Sequence, residues 1–251
     1  MSGMDIAAVG QVTTFSNTNL ITINDSVNTP TIATPYPSSI QVTGMTNRIS
    51  KLTVQLFGIT HSFPDDIDIV LVGPQGQNTV LMANVGSETK TPVTNIDLTL
   101  DDEAASNLPL DSALVSGTFK PTRRLSSFTF TYPAPAPASP NGASLSNFTG
   151  IDPNGTWNLY VIDDASPDSG IISGGWSLTI DTTLATLAIS RSGTNVVLSW
   201  TNAAVGYTLQ STSALNSNAW SNVGVAPVIV NNLFTVTNVT TNLATFYRLA
   251  K

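Results

Sequence analysis

The strongest constraint on this chain is an alternation of apolar and polar side chains that recurs along its length. Within Ile49–Ile59 (ISKLTVQLFGI), Leu52, Val54 and Leu56 alternate with polar residues, and the pattern returns in Ile67–Val72, Thr156–Ile162 and Trp176–Ile180. A period of two puts successive side chains on opposite faces, the geometry of a strand with one buried face. Turn formers punctuate the runs: Gly73-Pro74-Gln75-Gly76, Pro153-Asn154-Gly155 and Ser166-Pro167-Asp168-Ser169-Gly170. The one helix-like fragment, Asp101–Ala105, is short. Tyr132–Pro140 (YPAPAPASP) cannot sit inside a sheet, because Pro lacks a ladder donor. It reads as an extended surface loop ordered against the body. The pattern predicts an all-β protein.

Charge divides the chain. All 16 acidic residues lie between Asp5 and Asp181, and beyond Asp181 the charged residues are Arg191, Arg248 and Lys251. The first part therefore carries 6 basic and 16 acidic residues, a charge of -10, and the tail +3, which together give the chain's -7. Such an asymmetry marks a domain boundary near Asp181-Thr182-Thr183. The expected organisation is a short arm (1–12), a large β-domain (13–182) and a small one (183–251). The tail's strand-like runs are Ala185–Ile189, Asn195–Trp200, Tyr207–Gln210, Val228–Val230, Phe234–Val239 and Phe246–Leu249. They fit a small sandwich of about seven short strands.

Composition excludes several functions. With no Cys there is no disulfide scaffold, thiol nucleophile or Cys-based zinc site. With 1 His there is no two-His metal site. Lys and Arg total 9 and form no basic patch, so nucleic acid is not an expected partner. No apolar run approaches the ~20 residues of a membrane helix. The first residues lack the basic and apolar regions of a signal peptide. Two explanations stay open: a signal has been removed, or the protein is assembled without one, as virion proteins are.

The run Leu52–Gly76 (LTVQLFGITHSFPDDIDIVLVGPQG) resembles the core of the P domain (P/Homo B domain), which follows the catalytic domain in subtilisin-like proprotein convertases and many bacterial serine proteases. Thr60, His61, Phe63, Asp66, Asp68, Pro74 and Gly76 fill the positions of its motif. Convertases usually carry Arg-Gly-Asp before the acidic strand; this chain has Pro64-Asp65-Asp66 and keeps the final Asp. Asp152–Val161 (DPNGTWNLYV) is similar to the family's N-G-x-W-x-L-x-V strand. Asp163, Asp168-Ser169-Gly170 and Gly175-Trp176-Ser177-Leu178 are similar to its closing hairpin, and Phe15–Thr18 to Tyr36–Ile40 to the opening strand of stand-alone bacterial forms. The resemblance implies a β-sandwich of jelly-roll type without the catalytic domain. The tail, Ala188–Trp200 followed by Tyr207–Gln210, resembles small fibronectin- or immunoglobulin-like modules.

Clustered acids are the main candidate chemistry. By strand alternation Asp66 and Asp68 share one side and Asp65 takes the other. Asp163, Asp164 and Asp168 crowd one loop, and Asp101, Asp102 and Glu103 form a third cluster. Ca²⁺ takes six to eight oxygen ligands from carboxylates and carbonyls, and would relieve the repulsion between such acids. The resemblance adds calcium-stabilised bacterial members of the family. Asp65, Asp66, Asp68, Asp163, Asp164 and Asp168 are the candidate ligands; solvated, turn-capping Asp residues are the alternative. A catalytic triad would need His61, which the resemblance places at a strand end in a non-catalytic domain, and no G-x-S-x-G elbow exists. Trp157 and Trp176 are expected in the core and Trp220 on the surface.

The expectation is a non-catalytic structural or binding protein, calcium-stabilised, serving surface or extracellular adhesion or assembly. Its partner would be a protein, or a second copy docked through the N-terminal arm. The alternatives are a virion or filament component and an accessory domain of a serine protease.

Overall fold

The structure is a computed structural model that describes residues 11–26, 30–45, 47–124, 131–182, 186–201, 207–215, 219–231, 233–239 and 244–250. The described residues divide into two compact units, Gln11–Thr182 and 186–250. Residues 1–10 of the expected arm lie outside the described residues. Its last two residues belong to the first unit, because the Thr182 N–H donates to the Gln11 carbonyl (2.9 Å) and Val12 pairs with Asp181.

The fold is all-β, as the alternation predicts. Among its described residues the first unit has thirteen strands: β1 (Val12–Asn17), β2 (Ile21–Ile23), β3 (Thr31–Ile32), β4 (Ser38–Val42), β5 (Lys51–His61), β6 (Ile67–Val72), β7 (Asn78–Ala83), β8 (Val93–Leu100), β9 (Gly117–Phe119), β10 (Thr122–Arg123), β11 (Gly155–Asp163), β12 (Gly170–Ile172) and β13 (Trp176–Asp181). One sheet runs β1-β13-β5-β12-β2; β8 lies along the other edge of β5, and β9 runs parallel to β8. The second sheet runs β10-β7-β6-β11-β3, with β4 also paired to β11. The chain crosses repeatedly from one sheet to the other. Their facing sides enclose a single apolar core that includes Leu56, Ile69, Leu159 and Leu178.

Both framework tryptophans lie in this core with 0% exposure, as expected. Each finds an acceptor for its buried indole N–H: Trp157 donates to the Pro153 carbonyl (2.9 Å) and Trp176 to Ser38 Oγ (3.0 Å). The Pro-rich loop is ordered against the body. Tyr132 and Ala136 pack on Val70, Val80, Tyr160 and Ile162, which form the outer face of the second sheet. The Tyr36 hydroxyl pins the loop by donating to the Pro133 carbonyl (2.9 Å). The helix-like fragment at Asp101–Ala105 forms a turn, closed by the Ala104 N–H on the Asp101 carbonyl (3.0 Å).

Among its described residues the second unit has seven short strands, β14 (Ala188–Ser192), β15 (Asn195–Thr201), β16 (Thr208–Thr212), β17 (Ser221–Asn222), β18 (Val228–Val230), β19 (Leu233–Val239) and β20 (Phe246–Ala250). They form two sheets, β14-β15-β19-β18 and β17-β16-β20, around Leu198, Trp200, Leu209 and Val236. Trp220 is half-buried rather than exposed, because the Arg248 guanidinium lies 4.4 Å over its ring. Among the described residues, no helix is long and apolar enough to cross a membrane.

Candidate functional site: the acidic end of the first sandwich

A β-bulge sets the site. Along β5, Leu52, Val54 and Leu56 face the core in strict alternation, but the next core residues are Ile59 and His61. The register against β8 shifts between Leu56 and Ile59, at Gly58. The extra residue reverses the strand's phase, so that His61 points inward. Gly58 has φ +69°, and a Cβ there would lie 2.1 Å from Ser173 Oγ. Gly170 lets β12 lie flat on His61; a Cβ there would lie 2.1 Å from the Thr60 carbonyl oxygen.

Opposite, β11 sends Leu159 and Val161 into the main core and Tyr160 and Ile162 to the outer face. Asp163 continues the core-facing series. Its Oδ2 meets His61 Nε2 at 3.1 Å, both side chains are fully buried, and the contact joins the two sheets. The Phe63 backbone N–H donates to His61 Nδ1 (3.1 Å), which places the ring proton on Nε2, donated to Asp163. Asp163 Oδ1 accepts from the Ala165 N–H (3.1 Å). The one His is thus a buried inter-sheet tie with both nitrogens engaged.

The acids expected along one strand are arranged differently. Asp65 and Asp66 lie in a 3-10 turn, Pro64–Asp66, and β6 starts only at Ile67. The alternation argument therefore fails for both, because Pro64 opens a turn where an extended strand was expected. Asp68 is in the strand and shares the outer face with Val70. Asp164 follows the end of β11, and its N–H donates to the Asp66 carbonyl (2.9 Å), which ties the two acidic loops together.

Countercharge is distributed unevenly over these groups. Asp168 is bonded by Lys90 Nζ (2.5 Å) and Ser62 Oγ (2.6 Å). Burial pushes its carboxyl up, but these two bonds outweigh that and hold it below the usual carboxylate range. Arg124 is held by Glu88 and Asp111. Among the described residues, no ion pair reaches Asp65, Asp66, Asp68 or Asp164. Burial, then the nearby charges of Asp163 and Asp168, raises Asp66 to about 7. Burial, then Asp68 and Asp66, raises Asp164 to about 8. Burial raises Asp68 to about 7 against the opposing hydrogen bonds of Asn84. Burial also raises Asp65. Among the described residues, two carboxylate oxygens, Asp65 Oδ1 and Asp66 Oδ2, are buried without a hydrogen-bond partner.

These orphaned oxygens are hard donors of the kind Ca²⁺ takes, so the chemistry of the set fits the cation. Among the described residues, no three acidic or imidazole groups already converge as a metal cage. A cation held here would use few carboxylates and complete its shell from loop carbonyls. The third acidic cluster is structural. Lys51 bonds Asp101 (3.0 Å) and Glu103 (2.5 Å). Asp102 accepts from the Leu145 and Ser146 N–H groups (2.9 and 2.8 Å) and caps the 3-10 turn Leu145–Phe148.

Sequence reasoning missed Lys90, Asn84, Arg123 and Tyr132, which surround the acids from other elements. Nothing in their local sequence marks them, although Tyr132 opens the Pro-rich run.

No family model and no curated protein matches this chain. Solved structures similar to it include two chains of a serine protease. A serine protease of Aeromonas sobria in complex with a chaperone matches at 15% identity and a TM-score of 0.33, over 70% of this chain and 28% of that one. The serine protease of Aeromonas sobria matches at 15% identity and a TM-score of 0.32, over 68% of this chain and 27% of that one. The chain thus spans less than a third of the length of either.

Proposed function

We propose that this chain is a non-catalytic structural or binding module of P-domain type whose acidic end is completed by Ca²⁺, acting outside the cell in adhesion or assembly. The observation that carries the calcium reading is the group of buried carboxylates at one end of the sandwich, Asp66, Asp68 and Asp164, to which no ion pair forms among the described residues. Burying like charges together is costly unless a proton or a cation is taken up. The fully engaged His61 supports the non-catalytic reading, since a general base needs a free nitrogen within reach of its substrate. The order of the sequence motifs supports the P-domain assignment and, with it, a role beside a protease or another exported partner.

Thermal unfolding of the full chain at pH 7.5 tests the calcium reading. Calcium at a hundredfold excess over Kd contributes about 2.7 kcal/mol. That corresponds to a Tm roughly 5–10 °C higher than in EDTA for a chain of this size. An unchanged Tm at millimolar calcium would refute the reading.

A further inference from the structure

A cavity of about 340 Å³ lies on the outer face of the second sheet, between β7, β10 and the Pro-rich loop, and is lined by Asp68, Asn84, Arg123, Tyr132, Val80 and Ala83 among others. Its polar groups are incompletely bonded. Tyr132 is 5% exposed, and its hydroxyl is buried with no hydrogen-bond partner among the described residues. Buried hydroxyls are normally paired, so a lone one at a cavity wall points to a missing ligand atom. Asp68 is 3% exposed and is bonded by Asn84, through its backbone N–H and, at a long 3.4 Å, its Nδ2. Arg123 forms no ion pair among the described residues, yet it is close enough to bear electrostatically on both Asp68 and Tyr132.

A carboxylate and a guanidinium that line one cavity without pairing leave room for a molecule that carries both complementary charges. We propose that this cavity binds a free α-amino acid with a small uncharged side chain. Its ammonium group meets Asp68, and its carboxylate accepts from Arg123 and the Tyr132 hydroxyl. Val80 and Ala83 supply an apolar wall for the side chain. A neutral sugar would leave both protein charges without a countercharge, and so fits less well. The inference does not rest on the calcium reading: Asp68 is common to both, but the contact uses it free of metal.

Calorimetric titration of the full chain in EDTA with L-alanine, L-serine and L-valine tests it, with glucose, acetate and methylamine as comparators. Saturable binding is expected for at least one of the amino acids and for none of the comparators. Arg123→Gln and Tyr132→Phe should each weaken it at least tenfold. Tyr132→Phe keeps the ring and the loop packing, and Arg123 is only half-buried, so both variants are expected to fold. The proposal is overturned if no amino acid binds at millimolar concentration, if glucose binds as well, or if folded Arg123→Gln binds like the parent. Because EDTA is present throughout, loss of calcium binding and loss of amino-acid binding are read separately.

Discussion

The His61–Asp163 contact ties the two sheets together at the acidic end. Both groups are buried, and each nitrogen of the ring has one assigned partner. Asp163→Ala would strand the Nε2–H, and removing a hydrogen bond to a charged group costs about 1.5–3 kcal/mol. Asp163→Asn keeps an acceptor and should cost less, while removing the charge that helps raise Asp66. Urea denaturation of the two variants separates the hydrogen bond from the charge. Equal losses of stability would show that the hydrogen bond contributes little. At the same scale, Asp66 and Asp164 are where the proposed cation would act, since their carboxylates combine burial with a lack of countercharge among the described residues.

Among the elements, β5 shows most clearly what the sequence makes visible. The alternation of Leu52, Val54 and Leu56 marks a strand, and the observed span is Lys51–His61. The alternation does not reveal the bulge at Gly58, because a phase reversal appears only when partner strands set the register. Gly58→Ala should destabilise the fold by more than about 1 kcal/mol, from the positive φ and the clash with Ser173. A Tm equal to the parent's would mean that the bulge does not hold His61 in place.

The strand β6 is legible at Ile67–Val72, and so is the ordered Pro-rich loop. The turn at Pro64–Asp66 is not, and it separates Asp65 and Asp66 from the face that Asp68 occupies. The two acidic runs, at Asp65–Asp68 and Asp163–Asp168, could each be read from the chain because their members are close in sequence, but their meeting, through the Asp164 N–H on the Asp66 carbonyl, could not. Lys90, Arg123 and Tyr132 reach it from distant segments through sheet topology, so no local pattern announces them.

At the scale of the whole molecule, the charge of -7 hides a -10 first part and a +3 tail, divided after Asp181. Much of the first part's excess is buried at one end of one sandwich, and this fixes the direction of the pH response. Asp66 and Asp68 are raised to about 7 and Asp164 to about 8, above their values in the unfolded chain. Between about pH 4 and pH 8 the folded state therefore holds protons that the unfolded chain has released, and stability falls as pH rises. In EDTA, these three groups predict a Tm that declines from pH 5 to pH 8. A Tm that rises across this range would contradict the burial of unpaired carboxylates.

On the proposed calcium reading, calcium and protons would compete for the same groups, so their linkage is the most direct test of the central claim. The measurement is a calorimetric calcium titration of the full chain at pH 5.5 and pH 8, repeated on Asp66→Asn. We expect saturable binding at pH 8, weaker binding at pH 5.5, and a loss of at least tenfold in affinity in the variant. Absence of saturable calcium binding at pH 8, or binding unaffected by both pH and the substitution, would contradict the account.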